Sequence, residues 1–174
     1  MDYFDEVEKA IESTSVERMG QAASLLEKAG KFGQRVWIVG NGGSAATAMH
    51  LSNDLQKMCG LDVIALPSLV PTITAYGNDM GWDRMFSAAM KSFRVGDILV
   101  AISCSGNSAN VVEAAKYALE CDGKLIVLTG SGGILENMPG VIISIPHKDI
   151  KVVEDAHSVI CHALTGMINE MQGV

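Results

Sequence analysis

The sequence predicts an α/β protein, a flavodoxin-like three-layer α/β/α fold built on a five-stranded parallel sheet. Five short apolar segments of the 174-residue chain are continuous rather than alternating and rich in β-branched residues. Such segments are typical of strands buried on both faces of a parallel sheet. Segments with helical periodicity separate most of them, as in an open α/β sheet. The composition, 48% apolar and 19% charged, is that of a globular domain and excludes a disordered chain.

The first 34 residues are predicted to form one or two amphipathic helices, because apolar side chains recur there at helical spacing. These helices either cover the core or form a subunit interface. We expect one domain over residues 1–174, with residues 1–34 as a helical extension and residues 35–174 as the α/β core. The recurring apolar residues are Ile11, Met19, Ala22, Leu26 and Ala29.

Strands and helices alternate from residue 35 onward. We expect the strand order 2-1-3-4-5, in which the first and third strands are neighbours and ligands bind beyond their carboxyl ends. The predicted strands are residues 35–39, 62–66, 98–103, 124–129 and 141–145. The predicted helices are residues 44–58, 83–93, 108–120 and 151–171.

Charge and composition narrow the choice of partners. The net charge is −7, and the 13 Lys and Arg residues are scattered, which argues against nucleic acid. No apolar run approaches the roughly 18 residues that span a bilayer, so the mean hydropathy of +0.25 indicates buried strands and a subunit interface rather than a membrane segment. The four cysteines lack CxxC spacing and an upstream export signal. We therefore expect free thiols and a cytoplasmic protein.

The first predicted strand ends in a glycine-rich loop, GNGGS at residues 40–44. Glycines allow a ligand to approach the backbone, and the start of the following helix favours an anion. Gly42, Gly43 and Ser44 are therefore candidate phosphate-binding residues, with Ser44 expected to cap the helix. The loop is neither a Walker A motif nor GxGxxG, so no nucleotide cofactor is indicated. Taken alone, it is equally consistent with a tight turn.

The third predicted strand ends in a second such loop, SCSGNS at residues 103–108. Its hydroxyl groups can donate hydrogen bonds to phosphate oxygens, and Ser108 is expected to cap the next helix. An ordinary helix cap with additional serines is the alternative, but two such loops at adjacent strand ends favour one shared ligand. A third loop, residues 129–133, either contacts the ligand or forms a flexible turn. The candidate phosphate-binding residues of the second loop are Ser103, Cys104, Ser105 and Ser108.

Histidines and carboxylates recur on two predicted helices. His50 and Asp54 are four residues apart, which places them on one helix face. Glu154 and His162 are eight residues apart on the last helix. Two histidines and two carboxylates can form a tetrahedral metal site of the zinc type. A partly buried histidine paired with a carboxylate is the alternative.

Three segments resemble the sugar isomerase (SIS) domain family, most closely its phosphoheptose isomerases. They are GNGGSAATAMH, ISCSGNSANVVEAAKYA and LTGSGG, and the resemblance extends over nearly the whole chain. It implies a five-stranded flavodoxin-like sheet and a homotetramer with active sites between subunits. It also implies that Ser103, Ser105 and Ser108 hold the substrate phosphate. Asn41 and Ser44 would line the same pocket, and Asn78 and Asp79 would contact the substrate.

The resemblance further implies isomerisation of sedoheptulose 7-phosphate to D-glycero-D-manno-heptose 7-phosphate, a step that serves lipopolysaccharide, capsule or S-layer glycans. In the family, the residues matching His50, Asp54, Glu154 and His162 can bind zinc. This chain has aspartate where the family has glutamate, and Glu154 where the family has glutamine. We expect Asp54 or Glu154 to act as base, His162 as acid, and His50 as metal ligand or orienting residue.

Two alternative functions remain. One is a non-catalytic binding protein that resembles the replication initiator-associating proteins, which lack the last-helix histidine and the first-helix carboxylate. This chain retains both, as His162 and Asp54, which favours the enzyme. The other is an isomerase of a different sugar phosphate, which the sequence does not distinguish.

Overall fold

The computed structural model describes residues 2–173. Its strands are β1 (Val36–Val39), β2 (Val63–Ala65), β3 (Ile98–Ser103), β4 (Lys124–Gly130) and β5 (Val141–Ile145). Its α-helices are α1 (Tyr3–Glu12), α2 (Val16–Phe32), α3 (Gly43–Cys59), α4 (Val70–Met80), α5 (Met85–Ala89), α6 (Ala109–Glu120) and α7 (Ile150–Gln172).

The five strands form one parallel sheet in the order β2-β1-β3-β4-β5, which confirms the predicted class and strand order. In the centre of the sheet, Val36 pairs with Val63 on one side and Ile98 on the other. Every residue of β1 and β3 is buried, because helices cover both faces of the sheet. The predicted second strand is shorter than expected, since Leu66 already begins a 3₁₀ turn that contains Pro67.

Helices α1, α2, α3 and α7 cover one face of the sheet. Alternate strand residues such as Ile38 and Val100 point toward this face and pack with Leu26, Leu51 and Leu164. The amino-terminal helices pack on the core through residues such as Ala22 and Leu26, and their role as a subunit interface stays a prediction. None of the described helices combines the length and hydropathy that a membrane crossing requires.

Helices α3 and α7 lie side by side in the same direction, because each follows a strand of a parallel sheet and returns along the same face. The Thr47 and Ser158 hydroxyl oxygens lie 3.3 Å apart across this helix pair. Residues at similar depths along the two helices therefore become neighbours, and this arrangement positions the site described below.

Helices α4, α5 and α6 cover the other face, and the prediction for this region was partly wrong. The predicted helix at residues 83–93 is reduced to a 3₁₀ turn at Trp82–Arg84 and the five residues of α5. Helix α4 was not predicted, because Pro71, its threonines and Gly77 lower its helix propensity. Only Ile73 and Tyr76 pack against the core, and both are partly exposed. The helix ends at Gly81, whose φ of 88° favours glycine.

Candidate active site

The loop after β1 turns into α3 through Gly42, which has φ 55° and ψ −124°. Gly42 occupies the cap position and the helix begins at Gly43, so the prediction that Ser44 caps the helix was wrong. The left-handed φ of Gly42 starts the helix before Ser44. Ser44 is instead buried in the first turn, and its Oγ lies 3.8 Å from Sγ of Cys104. The loops after β1 and β3 therefore meet, as the strand order predicted.

The loop at residues 103–108, hereafter the serine loop, turns through Gly106 at φ 64°. Ser108 occupies the cap position of α6 as predicted, but its side chain accepts no hydrogen bond from the helix. Its Oγ instead accepts one from Oγ of Ser103, at 3.2 Å. The first N–H groups of α6 are therefore left without a side-chain cap, which is the arrangement that favours an anion at a helix start.

The loop at residues 129–133 supports the serine loop. Oγ1 of Thr129 donates a hydrogen bond to the Ser103 carbonyl at 2.9 Å. Gly133 packs directly on Gly106, and a Cβ on either glycine would collide with the other residue. The Ile134 N–H donates to the Asn107 side chain at 3.0 Å. These contacts hold the serine loop in place from the side of residues 129–134. A direct contact between the loop at residues 129–133 and a ligand stays a prediction.

Asn110 is a site residue that the sequence interpretation missed. It is fully buried in the first turn of α6. Its amide exchanges two hydrogen bonds with the amide of Asn41, at 2.8 and 3.0 Å. The signal in the sequence was an asparagine on the apolar face of an otherwise Val- and Ala-rich helix. The pair holds Asn41 in place at the end of β1.

A cavity of about 420 Å³ opens beside the loop after β1. It lies between Asn41 and Gly42 on one side and helix α4 on the other. Asn78 and Asp79 lie near the carboxyl end of α4, where the Asn78 amide donates to the Asp79 carboxylate at 2.9 Å. Both side chains are exposed and neither lines the cavity, whose α4 residues are Ile73, Thr74 and Gly77.

His50, Asp54 and His162 come together in the groove between α3 and α7. Oδ2 of Asp54 lies 3.5 Å from Nε2 of His50 and 3.7 Å from Nε2 of His162. The two Nε2 atoms lie 3.5 Å apart. The other Asp54 oxygen accepts a hydrogen bond from the Asn53 amide at 3.1 Å. The aspartate is buried, while both histidine side chains are more than half exposed.

This donor set fits a metal ion. The three ligand atoms all lie within 4.8 Å of one another. A tetrahedral zinc ion with bonds of about 2.1 Å separates its ligand atoms by about 3.4 Å, close to the measured 3.5 to 3.7 Å. Imidazole nitrogens and a carboxylate oxygen are also ligands that zinc accepts. His50, Asp54 and His162 could therefore hold a metal ion.

Glu154 lies outside this cluster. It precedes His162 by eight residues on α7, which corresponds to about 12 Å along the helix axis. Its carboxylate packs against Gly43 so closely that a Cβ there would collide with it. The carboxylate therefore lies at the amino-terminal, electropositive end of α3. The structure thus brings together three of the four predicted metal ligands and places the fourth beside the ligand loops.

His157, between Glu154 and His162, is buried at 1% exposure. Burial lowers the pKa of this imidazole to about 4, despite the opposing effect of the Thr129 backbone carbonyl. Its Nδ1 lies 3.9 Å from Sγ of Cys104. Burial, together with the negative charge of Glu154, raises the pKa of the Cys104 thiol, although its contact with Ser44 acts in the opposite direction. At neutral pH the imidazole is uncharged and the thiol is protonated.

Comparisons with known proteins place this architecture in a family. Residues 1–130 match the family model of the SIS domain. The chain is 36% identical over 170 residues to the phosphoheptose isomerase of Neisseria gonorrhoeae, covering 92% of this chain and 86% of that protein. It is 36% identical over 159 residues to the phosphoheptose isomerase of Rhodospirillum rubrum, covering 87% and 85% of the two chains.

Solved structures agree with these sequence comparisons. The phosphoheptose isomerase GmhA of Neisseria gonorrhoeae superposes with a TM-score of 0.91 at 38% identity, covering 96% of this chain and 95% of that chain. A phosphoheptose isomerase of Francisella tularensis superposes with a TM-score of 0.90 at 32% identity, covering 97% and 95%. The chain belongs to the SIS domain family and, within it, groups with the phosphoheptose isomerases.

Proposed function

We propose that this protein is an aldose–ketose isomerase that converts sedoheptulose 7-phosphate to D-glycero-D-manno-heptose 7-phosphate. The observation that carries the proposal is the His50–Asp54–His162 cluster, which combines a buried carboxylate with two histidines at 3.5 and 3.7 Å. The relatives named phosphoheptose isomerase support it, since they match this chain at 36% identity over most of its length.

The serine loop is the proposed phosphate site. Ser103, Ser105 and Ser108 supply hydroxyl donors, and the uncapped start of α6 supplies backbone N–H groups and a favourable dipole. Ser44 and Asn41 border the same space from the loop after β1. Phosphate binding here supplies interaction energy away from the reacting carbons, which the enzyme uses to orient them.

Proton transfer is assigned to Asp54 and His162. The base removes a proton from C1 of the ketose, next to the carbonyl, which produces an enediolate, and the proton returns at C2. The acid transfers a proton between the two oxygens, which completes the exchange of carbonyl and hydroxyl. Asp54 is preferred to Glu154 as base, because its carboxylate lies 3.7 Å from the His162 ring whereas Glu154 packs against Gly43.

One zinc ion per subunit is the proposed cofactor, held by His50, Asp54 and His162. When bound, such an ion polarises a substrate carbonyl and stabilises developing negative charge. Glu154 is not one of the proposed ligands, because its carboxylate packs against Gly43 outside this cluster. The hydrogen bond from Asn53 at 3.1 Å fixes the position of the buried Asp54 carboxylate, whether it acts as base or as metal ligand.

The proposed assembly is a cytoplasmic homotetramer with active sites between subunits. Two apolar side chains near the cluster are exposed: Met49, which is adjacent to His50 in sequence, and Val159, which lies one helical turn before His162. A neighbouring subunit would cover these residues and exclude water from the cluster. The product would serve the synthesis of lipopolysaccharide or other surface glycans.

The test is an isomerase assay with sedoheptulose 7-phosphate, with and without added zinc, alongside a hexose and a pentose phosphate. We expect turnover of the heptose, lost in His162→Ala and retained in His147→Ala, a histidine in the loop before α7. Preferential turnover of another sugar phosphate would revise the substrate. If the wild-type protein turns over none of these sugar phosphates, with or without zinc, and His162→Ala still binds a phosphate ligand normally, the protein would instead be a non-catalytic binding protein.

A further inference from the structure

His157 is a buried titratable side chain that the proposed mechanism does not use. It is 1% exposed, and among residues 2–173 its Nε2 has no hydrogen-bond partner of normal geometry, although the Thr129 backbone carbonyl acts on the ring. Burying an imidazole without satisfying both nitrogens is unfavourable, and an aliphatic residue would fill a core position without that penalty. Packing alone therefore does not account for a histidine here.

The imidazole lies beneath the point where the two ligand loops meet. Its Nδ1 lies 3.9 Å from Sγ of Cys104, and the same sulfur lies 3.8 Å from Oγ of Ser44. Cys104 is the second residue of the serine loop, and its carbonyl accepts a hydrogen bond from the Gly130 N–H at 3.0 Å. A single contact of His157 therefore reaches the serine loop, the start of α3 and the end of β4.

The protonation states make this contact directional. Because the Cys104 thiol is protonated and the His157 ring is neutral, the thiol can donate to Nδ1. Nε2 then carries the proton of the ring. The serine loop is thus held by a polar contact from α7 in addition to its packing on residues 129–133.

His157 also lies on the same helix as His162, five residues earlier, or about 7.5 Å along the axis. Helix α7 therefore carries both a contact to the serine loop and a member of the acid–base cluster. Any shift of the loop relative to α7 changes the spacing between the phosphate site and the cluster.

We propose that His157 is a positioning residue: by holding Cys104 it sets the distance between the serine loop and the His50–Asp54–His162 cluster. A phosphate bound at the loop then places the reacting carbons at the cluster. This inference rests on the proposed function for the identity of the reaction, but not for the contact itself.

The first test compares His157→Leu with His157→Asn, whose amide keeps a polar atom near the position of Nδ1. The measurements are kcat and KM for sedoheptulose 7-phosphate and the inhibition constant of inorganic phosphate. We expect the leucine variant to lower kcat about tenfold, since misplacement near 1 Å costs up to about 100-fold in rate. KM and the inhibition constant should also rise about tenfold, because the serine loop loses its polar contact with α7. The asparagine variant should stay within about threefold. Ile168→Ala, a buried change farther along α7, controls for lost stability and should leave both constants unchanged.

A double-mutant cycle with Cys104→Ala tests the route of the effect. If His157 acts through Cys104, the double variant is no worse than the more affected single variant. Multiplying effects, or a wild-type inhibition constant in His157→Leu, would overturn the proposal. If the leucine variant does not fold, Cys104→Ala alone must raise the inhibition constant for the proposal to stand.

A binding measurement separates this inference from the proposed function. Inorganic phosphate should slow the alkylation of Cys104 by iodoacetamide in the wild-type protein. The protection should be weaker in the two His157 variants, and weakest in the variant with the highest inhibition constant for phosphate. Protection that weakens in His157→Leu without any wild-type turnover would support positioning and reject the isomerase. Normal turnover with equal protection in both variants would reject positioning and retain the isomerase.

Discussion

Replacing Asp54 with asparagine removes one negative charge from the cluster with little change of shape. Oδ1 of the new amide can still accept the hydrogen bond that Asn53 donates at 3.1 Å. An NH₂ group then replaces Oδ2, 3.5 Å from Nε2 of His50 and 3.7 Å from Nε2 of His162. This group can donate to the histidines but can neither accept a proton from carbon nor ligate a metal. The fold should therefore remain while the chemistry is lost.

The expected loss follows from the role of a general base, which contributes about 10²- to 10⁴-fold in rate. We therefore expect kcat to fall by that factor, equivalent to about 3 to 5 kcal/mol of activation free energy. The metal content of the purified protein should fall from about one ion per subunit to well below one. Because Asp54 is buried and keeps its Asn53 contact, the melting temperature should change by only a few degrees.

Three measurements decide the outcome. Turnover is followed by proton NMR in deuterated water, which also detects exchange at C1. Metal content is measured by elemental analysis, and folding by thermal denaturation. Asp5→Asn, on the exposed side of α1, is the matched control and should behave as wild type. An Asp54→Asn protein that keeps more than about a tenth of kcat together with a full metal complement would refute the assignment of base and ligand.

Three further predictions concern the framework of the site. Gly106→Ala should destabilise the protein by about 1–2 kcal/mol, because φ is 64° and the new Cβ would collide with Thr129 and Gly133. The measurement is urea unfolding, and a wild-type midpoint would contradict this prediction. Asn110→Leu should cost about 1–3 kcal/mol and raise KM, since it leaves the Asn41 amide without its partner; an unchanged KM would show that Asn41 is not a binding residue. The pKa of His157 is lowered to about 4 in the folded protein, so the unfolded chain binds its proton first as pH falls below about 6.5. Stability should therefore decline between pH 6.5 and 4 by up to about 3 kcal/mol, and His157→Asn should flatten that decline; equal slopes in both proteins would exclude His157 as its source.

Much of the fold was predictable because buried parallel strands have a simple signature. The segments that became β1, β3 and β4 are continuous apolar runs, and their burial on both faces follows from that pattern. Helices α3 and α6 were predicted to within one residue at either end, because each begins directly after a glycine- or serine-rich loop. The region of α4 and α5 was not predictable, because Pro71, Thr72, Thr74 and Gly77 give α4 a low helix propensity.

The sequence by itself determined the chemistry available to this protein. Spacing placed His50 and Asp54 on one helix face, and the strand order brought the two ligand loops to the same edge of the sheet. Only the tertiary structure decided which residues meet, because contact between two helices depends on their direction and offset. The parallel packing of α3 and α7 joins His162 to His50 and Asp54 but leaves Glu154 against Gly43. The same packing buries His157 beneath Cys104, a contact between residues 53 positions apart that local periodicity does not encode.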